Sequence, residues 1–449
     1  MAATGIARDR GPGGAVCVQS VGCPAASAAD ALRPSIDQAL RRLTMLIDDA
    51  VSFHARTLLA RRANSGRSLK ENPRLRDYLA RVDRQIDLCI HEYSDADLGA
   101  AMPRSGLGPT ATAGTQQDGR ATLADLVELP KLLTGLIHCG GKRIRPLMAY
   151  LGFWASGSGE PDETVVRIGA ALELLHSFAL VHDDVMDESP TRRGVATTQI
   201  QAAAQHRELS AAGESARFGE NVAILLGDLA HAAADDLIAE CPTPVRDVWR
   251  TLVRELIRGQ LGDLTGAADR ARDPELALSV ADQKSGSYTV HRPLELGAIA
   301  AGARPEVRES LAAYGREIGW AFALRDDILG VWGDPAITGK PAGDDLIAGK
   351  PTVIIALASQ RLAAAESRLL TRVASAERRP ADVERLQWAI HDAGVRADVE
   401  EMISQHVDRG LAHLAELEPK RGVDPAQSGA AEATALLTQI ADQVAWRDR

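Results

Sequence analysis

Two apolar stretches with a helical period, each running straight into a pair of aspartates, restrict what this chain can fold into more than any other feature. The first, Ile168 to Leu180, is apolar apart from Glu173, His176 and Ser177, and it leads into Val181-His182-Asp183-Asp184-Val185-Met186-Asp187. Roughly 140 residues later, a largely apolar run from Tyr314 to Arg325 ends in Asp326-Asp327-Ile328-Leu329-Gly330. Apolar residues at this spacing predict helices buried on most sides. Asp183 and Asp187, four apart, stack on one helix face and repel unless something positive sits between them. Each acid cluster is followed by a basic loop: Thr191-Arg192-Arg193-Gly194 after the first, and Lys340 and Lys350 within a Gly- and Pro-rich stretch after the second. Oxygen ligands in this number suit a hard cation, and magnesium takes one or two protein carboxylates together with phosphate oxygens. Two such halves fit a three-ion magnesium site around a diphosphate.

A lone pair of aspartates is an ordinary sight on a solvated helix face, and Asp48-Asp49 and Asp235-Asp236 are examples in this chain. What separates the two clusters from them is the apolar run leading into the acids. The rest of the sequence supports an all-α fold. Aromatic residues are only 4%, alanine is abundant, and helical segments succeed one another with breaks at Pro190, Pro242, Pro274, Pro305 and Pro335. No strand-period pattern competes.

A net charge of −10 excludes nucleic acid as a general partner. It also means that any anionic substrate must be attracted by basic residues gathered locally. No run is expected to be long enough to cross a bilayer, and residues 1–30 lack the apolar core of a signal peptide. Five cysteines without metal-site spacing read as reduced thiols of a cytoplasmic protein. Residues 1–30, rich in small residues and without periodicity, read as a disordered tail that either docks a partner or compartment or has no role. Residues 31–449 read as one large helical domain, with early helices over Ser35–Arg62 and Asn72–His91.

Five blocks occur in a recognisable order: Gly140-Gly141-Lys142-Arg143-Ile144-Arg145-Pro146, the first aspartate motif with its Thr-Arg-Arg-Gly, Gly259-Gln260-Leu261-Gly262-Asp263, Lys284-Ser285-Gly286-Ser287-Tyr288, and the second aspartate motif with its lysine loop. Together they resemble the trans-isoprenyl diphosphate synthases of the polyprenyl synthetase family, most of all those that make geranylgeranyl diphosphate. The likeness is dense over residues 121–360. It implies an antiparallel helical bundle around a central cavity, a homodimer, and transfer of the prenyl group of an allylic diphosphate (dimethylallyl, geranyl or farnesyl) onto isopentenyl diphosphate, with release of diphosphate. It also marks residues 65–120 as an insertion, with a mobile loop at 102–120.

The resemblance implies roles residue by residue. Asp183, Asp187 and Asp326 are direct magnesium ligands, with Asp184 and Asp327 behind them or shared. Lys142, Arg145, His176 and Arg193 hold isopentenyl diphosphate, while Arg192, Lys284, Lys340 and Lys350 grip the allylic diphosphate. Gln260 and Asp263 anchor the metal shell by hydrogen bonds. His176, among Leu172, Leu174, Leu175 and Phe178, reads equally as a satisfied core histidine, and Tyr288 equally as packing. Two positions depart from the family pattern. Gly330 replaces an aspartate, which predicts weaker metal binding that a Gly330→Asp substitution should strengthen, and Ala323 replaces a glutamine.

Phe178, five residues before Asp183, is expected to lie deeper on the same side and to limit the product tail at geranylgeranyl length. A class I terpene cyclase would carry an Asn/Ser/Glu triad where Asp326-Asp327 stands. A non-catalytic subunit of a heteromeric synthase, or an enzyme making the shorter geranyl or farnesyl product, are the remaining alternatives.

Overall fold

A computed structural model of the chain describes residues 69–94, 127–192, 194–335, 342–417 and 429–445. The tail at 1–30, the helix expected over Ser35–Arg62, the loop expected at 102–120, and Arg193 and Lys340 lie outside the described residues. Those described belong to one compact unit, Ser68–Arg449.

The first helix, α1 (Pro73–Glu92), starts where the side chain of Asn72 accepts hydrogen bonds from the backbone N–H groups of Arg74 and Leu75. Pro73 lacks the N–H that the first turn does not need. Leu75, Tyr78, Val82, Ile86 and Cys89 form a buried stripe at helical spacing, each large apolar side chain contributing about 1.5–3 kcal/mol on full burial. Tyr78 stacks on Tyr150 at 4.5 Å and its hydroxyl donates to the carbonyl of Val165. This segment falls inside the stretch that resemblance marks as an insertion, yet it is an integral part of the core.

Then come α2 (Leu129–His138), α3 (Ile144–Ala155) and α4 (Glu163–Met186). Asp162 caps α4 by accepting from Val165 N at 2.9 Å, and nearly every residue from Val165 to Leu175 is buried. A two-stranded hairpin, β1 (Thr191–Arg192) with β2 (Val195–Ala196), follows. No strand was expected from the sequence. With two residues per strand there is no run long enough to show alternation.

The chain continues through α5 (Thr198–Glu208), α6 (Ser215–Ala239), α7 (Thr243–Ala268) and α8 (Pro274–Ala281) into a π-helix over Asp282–His291. After it come α9 (Arg292–Ala300), α10 (Pro305–Trp332), α11 (Asp344–Ala348), α12 (Val353–Arg361), α13 (Ala364–Val373), α14 (Pro380–Asp392), α15 (Val395–Ala415) and α16 (Ala430–Ala445). Helix α4 is walled in by α1, α3 and α6, and α10 by the π-helix, α9, α15 and α16. The two acid-bearing helices are thus the central members of the bundle, and their C-terminal ends open into one cavity. Helix α4 is long and apolar enough to cross a membrane, contrary to the sequence expectation, but two thirds of that stretch is buried inside the bundle.

Candidate active site

The cavity has a volume of about 1090 Å³ and is lined by Asp183, Asp184, Asp326, Asp327, Lys142, Arg145, His176, Arg192, Gln260, Lys284 and Lys350, among others. The motifs that lie far apart in sequence therefore meet in one place. At the end of α4 each aspartate faces a cation. Lys284 Nζ donates to Asp183 Oδ1 at 3.1 Å, and Gln260 Nε2 donates to the same oxygen at 3.2 Å. Arg192 Nε reaches both oxygens of the buried Asp184 at 2.9 Å, and its Nη2 lies 3.4 Å from Asp183 Oδ2. Lys350 Nζ donates to Asp187 Oδ2 at 2.7 Å.

The hairpin aims Arg192 inward. Gln199 Nε2 donates to the carbonyls of Asp184 and Ser189, pinning the end of α4 to the start of α5.

Lys284 rides on the π-helix. A wider helical turn of this kind commonly marks a functional site. Its backbone passes so close to α7 that a Cβ on Gly259 would lie 2.5 Å from Lys284 N. This places the ammonium between Asp183 and Asp263, both of which it contacts. Burial works against the Lys284 charge, but Asp183 and Asp263 outweigh burial and the neighbouring Lys350, and hold its pKa above the usual lysine value. Lys350 behaves likewise: burial opposes its charge, and Asp345, Asp187 and Asp183 reverse the effect. Both lysines are locked as cations at neutral pH.

In the second acid motif the neighbours divide. Asp326 is half-buried in the cavity wall. Asp327 is buried and accepts a hydrogen bond from Val353 N at 3.0 Å, fastening α10 to the start of α12. Burial, then the charge of Asp345, push its carboxyl well above the usual range. Asp327 thus lines the cavity and at the same time anchors its wall. A Cβ built on Gly330 would lie 1.8 Å from Asp345 Oδ2, so a side chain at 330 requires the Asp345 carboxylate to turn aside.

On the opposite wall, Gly140-Gly141-Lys142 leads into α3. Arg143 adopts a left-handed conformation, with φ of 51°, and points back into the protein. It binds Glu173 at 2.7 Å, the carbonyl of Ile137 at 3.1 Å and Asp83 at 3.2 Å. The one acid inside the apolar run of α4 is therefore explained by Arg143, a partner that sequence reasoning missed. Its signal was Glu173 itself, since a charge on a buried helix face needs a counter-charge.

Arg145, 9% exposed, donates to Thr289 Oγ1 at 2.8 Å and lies over the Tyr288 ring, 4.2 Å from its centroid. Its Nε is buried without a hydrogen-bond partner. His176 Nδ1 is 3.3 Å from the Tyr288 hydroxyl, so both residues belong to the cavity wall and to each other.

Phe178 is not in that wall. Its ring packs on His182 at 4.7 Å and His231 at 4.9 Å. The cause is helix geometry: five residues at about 100° each turn it roughly 140° away from Asp183. Ala179 and His176, four and seven residues before Asp183, share its face and do line the cavity.

Among the described residues no three carboxylate, imidazole or thiolate groups converge tightly enough to cage an ion alone. The half-buried carboxylates of Asp183, Asp187 and Asp326 offer hard oxygens, and the buried Arg145 Nε is a hydrogen-bond donor without an acceptor. This set fits magnesium completed by phosphate oxygens rather than an all-protein cage.

Comparison with known proteins agrees. The family model described as Polyprenyl synthetase matches residues 127–393, more than half of the chain. The chain is 34% identical over 235 residues to a geranylfarnesyl diphosphate synthase of Aeropyrum pernix, covering 50% of this chain and 69% of that protein. It is 34% identical over 284 residues to a geranylgeranyl diphosphate synthase of Mycobacterium tuberculosis, covering 61% and 75%. In three dimensions it resembles a geranylgeranyl pyrophosphate synthase of Corynebacterium glutamicum, a structure described as complexed with isoprenyl diphosphate and magnesium. There the TM-score is 0.68 at 34% identity, with 82% of this chain and 99% of that one covered.

Proposed function

The chain belongs to the polyprenyl synthetase family, and from that premise we propose that it is a trans-prenyltransferase that condenses isopentenyl diphosphate with an allylic diphosphate to give geranylgeranyl diphosphate. The observation that carries this reading is the pairing of every first-motif aspartate with a lysine or arginine that lines one cavity. In a site where acids and cations already alternate, Asp183, Asp187 and Asp326 would hold the metal of a metal–diphosphate complex, and Arg192, Lys284 and Lys350 would hold its phosphate oxygens. Bound magnesium, three ions in this proposal, neutralises the diphosphate and makes it a good leaving group.

Lys142, Arg145 and His176 on the opposite wall then hold the diphosphate of isopentenyl diphosphate. Arg193 and Lys340 keep the roles that the resemblance gives them. With both substrates held, the allylic carbon–oxygen bond ionises, the isopentenyl double bond attacks the cation, and a proton is lost to restore an alkene. Tyr288 and Phe322, both buried in the cavity wall, exclude water that would otherwise trap the cation. A cavity of about 1090 Å³ lies just above the ~300–1,000 Å³ usual for small-molecule sites, which suits two substrates and a tail.

The homodimer that the resemblance implies has a matching surface. Ile257, Leu261 and Leu264 form an exposed apolar face on α7, beside exposed Leu225 on α6 and Met186 at the end of α4. The deciding experiment incubates purified protein with isopentenyl diphosphate and each allylic primer, with and without magnesium, and identifies products by chromatography. Magnesium-dependent release of diphosphate with a geranylgeranyl product is expected. Absence of any condensation would leave a non-catalytic subunit as the better reading.

A further inference from the structure

The loop that carries Lys142 to the cavity runs over residues 139–143, between α2 and α3. Two of its residues have left-handed backbone, Gly140 at φ 98° and Arg143 at φ 51°. A glycine adopts that conformation freely. An arginine does not, and stays there only where its surroundings hold it. Here the hold comes from acids on two helices. The Arg143 guanidinium donates to Glu173 Oε2 on α4 at 2.7 Å, and its Nη2 lies 3.2 Å from Asp83 Oδ1 on α1. Asp83 Oδ1 is buried and makes no hydrogen bond, so this second contact is ionic.

One turn further along α1, Asp87 Oδ1 meets Nε2 of His138, the last residue of α2, at 2.8 Å. Asp83 and Asp87, four apart, form one edge of α1, beside the buried Val82 and Ile86. That edge therefore grips the loop at its entrance through His138 and at its exit through Arg143. Glu173 precedes His176 by three residues and shares its side of α4, so the Arg143 pair also ties the loop to the helix that carries His176. Lys142, Arg145 and His176 all line the cavity.

We infer that Asp83, Asp87 and Glu173 are positioning residues for the isopentenyl diphosphate subsite, clamping the 139–143 loop so that Lys142 and Arg145 converge with His176 on one diphosphate. The inference rests on the reading of this wall as that subsite. None of the three carboxylates is required to touch the substrate, whose charge they would repel; each acts through the cation or imidazole it holds. Arg143, balanced by two acids, serves as a strut and not as a phosphate ligand. Helix α1 thereby has a part in substrate affinity besides its part in the core.

The test is steady-state kinetics on the full chain, varying isopentenyl diphosphate and the allylic primer separately, with circular dichroism on each variant. Because the α1 edge is partly exposed, the double variant Asp83→Asn with Asp87→Asn should fold normally. It should raise KM for isopentenyl diphosphate about fivefold, the size that two partly exposed pairs carry, with kcat and the allylic KM little changed. Glu173→Gln should raise the same KM roughly tenfold, equivalent to about 1.4 kcal/mol. Arg143→Gly, free to take the left-handed conformation, should keep more of the affinity than Arg143→Ala. A merely structural role would lower the active fraction, and with it kcat, while leaving KM alone. If Glu173→Gln fails to fold, the α1 double variant decides. The inference is overturned if the folded double variant keeps the wild-type KM for isopentenyl diphosphate, or if both KM values rise together. A wild type that shows no saturable dependence on isopentenyl diphosphate would instead overturn the reading of the subsite itself.

Discussion

At the residue scale, the first-motif aspartates are held apart from one another by cations, and this gives separable expectations. Asp183→Ala should abolish turnover while the circular dichroism spectrum stays helical, because the residue ends α4 rather than supporting its packing; near-normal turnover in the folded variant would remove it from the metal site. Lys350→Met leaves Asp187 without its 2.7 Å partner. It should cost the metal-free protein roughly 1–3 kcal/mol and raise KM for the allylic substrate. Added magnesium should restore part of the stability, since the ion takes over the lysine's neutralising role, and a denaturant titration with and without magnesium measures this.

Product length also belongs to this scale. Phe178→Ala should leave the product unchanged and cost about 1–3 kcal/mol, less than the 3–5 of a fully buried ring, because the ring faces His182 and His231. Ala179→Phe puts a ring into the cavity wall and should shorten the product. Chromatography of both variants decides between them, and a longer product from Phe178→Ala would restore it as the floor of the tail cavity.

At the element scale, function depends on short irregular pieces set between long regular helices. The π-helix presents Lys284, the two-residue strands present Arg192, and the five-residue α11 presents Asp345 and leads into Lys350. The helices behind them are held by local devices of the same size. The link between α13 and α14 is one. Asp382 accepts two hydrogen bonds from Arg372, at 2.8 and 2.9 Å, and another from Arg379 N at 3.1 Å. The side-chain bond from Arg372, first, and those from Arg379 hold its carboxyl down at about 2.

A depressed carboxyl stabilises the fold fully above its unfolded pKa, near 4. That stability is lost as pH falls through the folded value. The difference in urea midpoint between wild type and Asp382→Asn should therefore be constant above pH 5 and shrink between about pH 4 and 2. A gap that persists to pH 2 would mean that the aspartate acts through shape rather than charge.

At the scale of the whole molecule, the exposed apolar face is the feature that a single chain leaves unresolved energetically. Leu225, Ile257 and Leu261 are 55%, 54% and 59% exposed, and they lie on α6 and α7, beside the end of α4. Stable interfaces bury about 1,200–2,000 Å², with an apolar centre that tolerates no unpaired charge. Leu261→Glu should convert a dimer to a monomer in light scattering and lower turnover, because the same helix carries Gln260 and Asp263 one residue before and two after. An unchanged mass would move the interface elsewhere. The membrane-length apolar helix has a different explanation: α4 is apolar nearly all round because α1, α3 and α6 surround it.

The sequence by itself determined the all-α fold and the two acid-terminated helices, because these depend on periodicity, while the resemblance carried by its five motif blocks marked most of the cavity's polar residues. Glu173 even signalled a buried counter-charge, although only the fold showed it to be Arg143. Tertiary structure alone decided matters of direction. Phe178 and Ala179 are adjacent in sequence, yet one faces neighbouring histidines and the other the cavity, a difference of one 100° step round the helix. Position 330 reads as a missing ligand in the linear chain, but in space an aspartate fifteen residues later already stands there. Side chains are chosen locally by type, whereas the space they enter is set by segments brought together from distant parts of the chain.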